Sequence, residues 1–144
     1  MPIYSKSTGE LFFELKEERN LQNYRDRNRE EFLSPLNEYL EKLLAEKNLV
    51  KAEVIEQSGL NREYAYHIFS GNRKNPSRPK ILALAIAMGL DLDEVQYLLR
   101  YAKQGALYPR NPWDSVIISA VQQKLTVAKT NELLDQLGET LLLD

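Results

Sequence analysis

The sequence predicts an all-α fold, and three observations support this prediction. Apolar residues recur three or four positions apart along most of the chain, which is the spacing of one helical face. Serine, threonine, asparagine or aspartate precedes many of these segments, and glycine follows several of them, as at the two ends of a helix. No stretch alternates polar and apolar residues for long enough to indicate a strand.

Residues 1–33 predict a charged helical extension. Residues 7–10, Ser-Thr-Gly-Glu, form a capping box that opens a helix. Residues 16–31 are highly charged and contain few apolar anchors, so they indicate either a solvated helix or a mobile connector. The first helix of this extension carries apolar side chains on one face: Leu11, Phe12 and Leu15.

Residues 34–104 predict a domain of five helices. Ser34 and Pro35 are typical of an N-cap and a first helical position, so we expect the first helix to begin there. Asp91 and Glu94 form a capping box that opens the fifth helix. Glycines mark the expected ends of the second, third and fourth helices: Gly59, Gly71 and Gly89.

Residues 105–144 predict two further helices, which begin at the caps Asn111 and Thr126. Their apolar content exceeds the requirement of one packing layer, and short helices must bury such a face against something. Two partners are open: the fifth helix of the same chain, or the same surface of a second copy. We expect both, with part of the face sealing the core and the rest holding a homodimer.

The positive charge is concentrated in the middle of the chain. The net charge is −2 and the pI about 5.6, yet residues 51–80 hold six basic and three acidic side chains. A local basic face on an acidic body is typical of a protein that contacts phosphate groups. An ordinary solvated loop explains the same charges equally well.

The residue inventory argues against an enzyme. His67 is the single histidine, there is no cysteine, and no glycine-rich phosphate loop or metal-ligand cluster is visible. We therefore expect no catalytic residue, no metal and no cofactor. No apolar run approaches the length of a membrane span, and the N-terminus lacks a signal-peptide pattern, so we expect a cytoplasmic protein without membrane contact.

The second and third helices have the spacing of a helix-turn-helix motif. A short helix over residues 51–58 is followed by the turn Gly59-Leu60-Asn61 and by a helix over residues 61–70. Gly59 tolerates the left-handed backbone that such a turn requires, and Asn61 caps the following helix. Ala65, Ile68 and Phe69 are expected to face inward.

The residues that carry this motif resemble the Xre/Cro family of phage-type repressors over residues 36–99. The resemblance comprises Val-Ile-Glu-Gln-Ser-Gly-Leu-Asn-Arg at residues 54–62, Ile-Phe-Ser-Gly-Asn-Arg at residues 68–73, Pro76, Leu84-Ala85 and Gly89-Leu90. It implies a five-helix, repressor-like helix-turn-helix core. The charged N-terminal helix and the two extra C-terminal helices, which the residue pattern predicts, are additions to that core. It also implies a sequence-specific regulator of transcription that binds double-stranded DNA, a repressor acting as a dimer with the helix over residues 61–70 in the major groove.

The resemblance assigns contacts residue by residue. The base-contacting residues are Arg62, Glu63, Tyr66 and His67, which lie opposite the buried stripe of the third helix. The sequence departs from the family at Val50, Lys51, Ile55 and Phe69, and Lys51 is expected to reach phosphate where the family has glutamine. Tyr64 is expected to pack. The phosphate-contacting residues are Lys51, Asn61, Arg73, Lys74 and Arg78.

A second function class fits the same sequence. The acidic pI and the large share of the chain outside the motif favour a protein-interaction module, antitoxin-like or regulated by a partner, with little DNA binding of its own. Such a partner would bind through residues 1–33 or residues 105–144. The sequence leaves this alternative open beside the DNA-binding regulator.

Overall fold

The computed structural model describes residues 5–143; the first four residues of the predicted N-terminal extension and Asp144 lie outside this range. The described residues form nine α-helices and one short 3₁₀ turn, with no β-strand, which confirms the all-α prediction. Among these helices, none combines the length and the apolar character that a membrane span requires. The chain divides into two compact units, Met1–Ser34 and Pro35–Asp144.

The N-terminal unit contains α1 (Thr8–Glu17), α2 (Leu21–Arg27) and a 3₁₀ turn at Arg29–Glu31. The Ser7 hydroxyl accepts a hydrogen bond from the Glu10 N–H at 3.1 Å, which confirms the predicted cap of α1. The charged segment that follows thus contains a helix, α2, which packs against α1. Of the predicted apolar face, Phe12 and Leu15 are exposed and Leu11 is half-buried.

Charged and amide side chains join the two helices of this unit. Glu14 accepts hydrogen bonds from Lys6 Nζ at 3.0 Å and from Arg27 Nε at 3.0 Å. Lys6 Nζ also donates to the buried Asn28 Oδ1 at 2.6 Å, and Asn28 donates to the carbonyl of Tyr24. The unit is therefore held by polar contacts around Tyr24 and Asn28, because α1 buries no residue.

The C-terminal unit contains seven helices that follow one another with short connections. The predicted caps Asn61, Asp91 with Glu94, Asn111 and Thr126 are confirmed by side-chain hydrogen bonds to the helix N–H groups. The seven helices are α3 (Leu36–Glu46), α4 (Lys51–Ser58), α5 (Arg62–Ser70), α6 (Arg78–Ala87), α7 (Leu92–Tyr101), α8 (Pro112–Gln122) and α9 (Val127–Gln136).

The predicted start of α3 is wrong by one residue. Pro35, expected at the first helical position, is the N-cap, and the helix begins at Leu36. The reason is the ψ angle of Pro35, 149°, which is extended rather than helical. No side chain caps this end, but the Pro35 carbonyl accepts a hydrogen bond from the Tyr39 N–H at 3.1 Å.

The centre of the unit is α6, whose residues 81–86 are apolar on every side of the helix. All side chains from residue 81 to residue 86 are buried, and the helix packs against α4, α7 and α9. The hairpin of α8 and α9 contributes to this packing, because α9 contacts α6 and α8 contacts α7. The buried apolar residues of the hairpin and the tail after it are Val116, Ile117, Ala120, Val121, Val127, Leu134 and Leu142.

A buried ion pair joins the first turn of α6 to the first turn of α8. The Arg78 guanidinium donates two hydrogen bonds to the Asp114 carboxylate, at 2.8 and 2.9 Å, and Asp114 is 3% exposed. The same guanidinium donates to the carbonyls of Gly105 and Ala106, and the Tyr108 N–H donates to Asp114 at 3.0 Å. These hydrogen bonds attach the connection between α7 and α8 to Arg78 of α6 and to Asp114 of α8.

Substitution of Asp114 tests the importance of this pair. Asp114→Ala should lower the free energy of unfolding by about 3 kcal/mol, because it leaves the Arg78 guanidinium without its counter-charge. Urea denaturation measures the loss. The control is Asp135→Ala, an exposed carboxylate on α9, which should change the stability by less than about 0.5 kcal/mol. Equal losses in the two variants would contradict the assignment.

The pH dependence of stability provides a second test. Burial would raise the pKa of Asp114, but the hydrogen bonds from Arg78 and the Tyr108 N–H outweigh it and hold the pKa below its usual value. A carboxylate of this kind adds stability above its unfolded pKa, about 3.9, and that stability is lost as the pH falls through the folded pKa. The free energy of unfolding should therefore fall less steeply below about pH 4 in Asp114→Asn than in the wild type. Parallel profiles would exclude Asp114 as a source of the dependence.

Candidate functional site

The turn between α4 and α5 is built from local hydrogen bonds. Gly59 ends α4 with a φ of 74°, in the left-handed region where a side chain is unfavourable. The buried Ser58 hydroxyl donates to the Ile55 carbonyl at 2.6 Å and accepts from the Leu60 N–H at 3.2 Å. Asn61 Oδ1 then accepts from the Tyr64 N–H at 3.0 Å and opens α5. These contacts set the direction in which α5 leaves α4.

The two sides of α5 differ in character. Ala65, Ile68 and Phe69 are buried, as the sequence predicts. The exposed side borders an open groove with a volume of about 870 Å³, which the edge residue Phe69 of the buried stripe also lines. All four residues predicted to contact bases line this groove, as do Lys51 and Asn61 from the predicted phosphate contacts: Lys51, Asn61, Arg62, Glu63, Tyr66 and His67. The structure therefore brings six of the nine predicted site residues to one surface.

The groove residues make weak contacts with neighbouring side chains. His67 Nδ1 lies 3.2 Å from Asn72 Nδ2, and His67 Nε2 lies 3.7 Å from the Glu63 carboxylate, one helical turn away. The Arg62 guanidinium lies over the ring of Tyr66 at 5.9 Å from its centroid. Glu63 itself is highly exposed, with 87% of its side chain accessible. The groove thus presents hydrogen-bond donors and acceptors to solvent, including one positively charged and one negatively charged side chain on α5, Arg62 and Glu63.

Lys51 and Asn61 have partners inside the protein as well. Lys51 Nζ forms an ion pair with Glu41 and lies 5.4 Å from the centroid of the Phe69 ring. The oxygen of Asn61 caps α5, and its side chain also lines the groove. The Lys51–Glu41 pair is partly exposed, and such pairs contribute little to stability, so Lys51 can exchange Glu41 for another anion at small cost.

Among the described residues, three basic side chains that follow α5 lack carboxylate partners. Arg73, in the loop after α5, and Lys80, in the first turn of α6, both lie over the ring of Tyr64, at 5.2 and 4.1 Å from its centroid. Lys74 is exposed. Within residues 5–143, none of the three forms an ion pair.

Arg78 differs from the other residues predicted to contact phosphate. All three nitrogens of its guanidinium donate inside the protein, to Asp114 and to the carbonyls of Gly105 and Ala106. Lys80, which belongs to the basic segment but was not among the predicted phosphate contacts, lies instead over the ring of Tyr64, as Arg73 does. The sequence did show that Arg78 and Lys80 project in different directions, because residues two positions apart point to nearly opposite sides of a helix. Which of the two faces the candidate site became clear only from the tertiary contact between Arg78 and Asp114.

Among the described residues, no group of three or more histidine, aspartate or glutamate side chains is arranged to hold a metal ion. The groove therefore offers hydrogen-bond donors, acceptors and aromatic rings as its chemistry.

Comparison of the chain with protein-family models, with curated proteins and with solved structures finds no match. The resemblance to the Xre/Cro family therefore stays a prediction from the residues that carry it.

Proposed function

We propose that the protein is a sequence-specific regulator that binds double-stranded DNA through a helix-turn-helix formed by α4 and α5. One observation carries this proposal: Arg62, Glu63, Tyr66 and His67 line a single open groove along α5. The cations that follow α5 and have no carboxylate partner among residues 5–143 support it. The N-terminal part of α5 enters the major groove, and the protein acts as a repressor.

The chemistry of the groove suits base recognition. A helix about 10–12 Å in diameter fits the major groove of B-DNA, which is about 12 Å wide. Arginine donates two hydrogen bonds to guanine O6 and N7, and a carboxylate accepts from cytosine N4. Arg62 and Glu63, in the first turn of α5, are suited to these contacts. His67 and Tyr66 lie one turn further along the same groove.

Phosphate contacts come from the basic residues around α5. Arg73, Lys74 and Lys80 have no competing carboxylate among the described residues, and Lys51 has only a partly exposed one. Arg78 is omitted from the proposed contacts, because its guanidinium is occupied by Asp114 and two carbonyls. The net charge of −2 weakens binding to unrelated DNA, so specific contacts have to supply a large share of the affinity.

We further propose that the protein binds as a homodimer. A single short recognition helix buries little surface, and two copies on two half-sites supply the missing affinity. Apolar side chains of the α8–α9 hairpin and its tail that the core leaves exposed are available for self-association: Leu137 and Leu141.

A protein-interaction module is the second candidate function. The exposed aromatic and aliphatic side chains of the N-terminal unit favour it: Phe12 is 58% exposed, Phe13 65% and Leu21 60%. Exposed apolar residues in one short segment are typical of a surface that binds another protein. In this reading the chain binds a partner through residues 1–33 and little or no DNA.

Selection of bound sequences from a random duplex pool, followed by a salt titration, distinguishes the two functions. The proposal predicts an inverted repeat with half-sites about one helical turn apart. With Lys51, Arg73, Lys74 and Lys80 contacting phosphate on each copy of a dimer, the slope of log K against log salt should be about −7. No binding to any duplex at low salt would overturn the proposal and favour the interaction module.

The groove residues should carry sequence preference. Arg62→Ala or His67→Ala should weaken binding to the selected site by about 1–3 kcal/mol and leave the affinity for an unrelated duplex nearly unchanged. Fluorescence anisotropy with both duplexes measures the difference. Arg100→Ala, an exposed arginine on α7 outside the groove, is the charge-matched control. Equal losses on both duplexes would assign Arg62 or His67 to phosphate contacts instead.

A further inference from the structure

The ring of Tyr64 is the meeting point of two cations from different elements. Arg73 belongs to the loop after α5 and Lys80 to the first turn of α6, while Tyr64 itself lies on α5. The guanidinium carbon of Arg73 is 5.2 Å from the ring centroid, and the ammonium nitrogen of Lys80 is 4.1 Å from it. Both distances are within the range of about 6 Å over which a ring face attracts a cation.

The two cations oppose one another electrostatically. Because both lie over one ring, their separation is less than the Debye length of about 10 Å at 0.1 M salt, and they repel. The positive charge of Lys80 is also unfavourable because of its position in the first turn of α6. That turn contains no acidic residue to offset the positive end of the helix dipole. Among the described residues, the ring of Tyr64 is the compensating contact for both side chains.

The backbone keeps this cluster together. The Arg73 N–H donates to the His67 carbonyl at 3.0 Å, which holds the loop after α5 against the end of that helix. Gly71, with a φ of 89°, makes the reversal between them. The main chain thus sets where Arg73 begins, and the ring of Tyr64 sets where its charged end lies.

We infer that Tyr64 is a positioning residue that holds Arg73 and Lys80 as a pair of phosphate-contacting cations beside the recognition helix. The inference rests on the proposed function, since phosphate contact presupposes DNA binding. It assigns Tyr64 no contact with DNA. The attraction comes from the ring face, and the Tyr64 hydroxyl forms no hydrogen bond among residues 5–143, so phenylalanine should replace tyrosine here and leucine should not.

The first experiment examines the contact without DNA. In the full-length protein, the ring of Tyr64 should shift the ε-methylene protons of Lys80 upfield in the NMR spectrum. Tyr64→Phe should keep that shift, and Tyr64→Leu should return it to the value of an exposed lysine. Unshifted Lys80 protons in the wild type would overturn the inference.

The second experiment measures the consequence for binding. Tyr64→Leu should weaken binding to specific and unrelated duplexes alike, by about 3- to 10-fold, and flatten the salt dependence, whereas Tyr64→Phe should bind within about twofold of the wild type. In an Arg73→Ala and Lys80→Ala background, Tyr64→Leu should cause little additional loss. Thermal unfolding of each variant verifies that the fold persists.

The outcomes separate this inference from the proposed function. Wild-type affinity in Tyr64→Leu, equal losses in the phenylalanine and leucine variants, or a full loss in the doubly neutralised background would each overturn the positioning role. A wild-type protein that binds no duplex removes the proposed function and the phosphate role with it. The Lys80 shift then still decides whether the ring holds the cation.

Discussion

The burial of α6 is the constraint on which the rest of the C-terminal unit depends. A helix that is apolar on all sides must be enclosed by other elements, and residues 81–86 of α6 are buried without interruption. The helices α4, α7 and α9 provide the enclosure. The C-terminal hairpin is therefore part of the same compact unit as α3–α7, and α4 is fixed in position by its packing on α6. Because α5 follows α4 through a turn held by local hydrogen bonds, its orientation depends on the same core.

The first turn of α6 carries two basic residues with different surroundings, one in a buried ion pair and one near the surface. Arg78 and Lys80 are two positions apart, so they project about 200° from each other around the helix axis. Arg78 meets the buried carboxylate of Asp114 and stabilises the junction with α8. Lys80 lies over Tyr64 of α5, at the edge of the proposed DNA-binding surface. The same helical turn thus contributes one basic residue to the packing of the core and one to the charge near the candidate site. The sequence shows both only as members of one basic segment, residues 51–80.

The candidate site combines a rigid support with side chains that remain accessible. The buried stripe of α5 is Ala65, Ile68 and Phe69, and its exposed side borders the groove. The contacts within the groove are weak surface interactions, such as the 3.7 Å approach of His67 to Glu63. Such contacts orient side chains yet yield to a better partner. A surface of this kind is suited to a ligand that supplies both hydrogen-bonding edges and negative charge, as double-stranded DNA does.

The sequence by itself determined the all-α class, most helix ends and the two sides of α5, because caps, glycines and helical periodicity act within a few residues. Asn61, Gly59 and the capping box of Asp91 with Glu94 are local signals of this kind. The tertiary structure alone decided the separate roles of Arg78 and Lys80, since Asp114 is 36 residues from Arg78 and Tyr64 lies on another helix. It also decided how α8 and α9 pack, because an apolar helix face predicts burial but does not specify which helix it packs against. Contacts over such separations depend on the assembled core, and no local pattern encodes them.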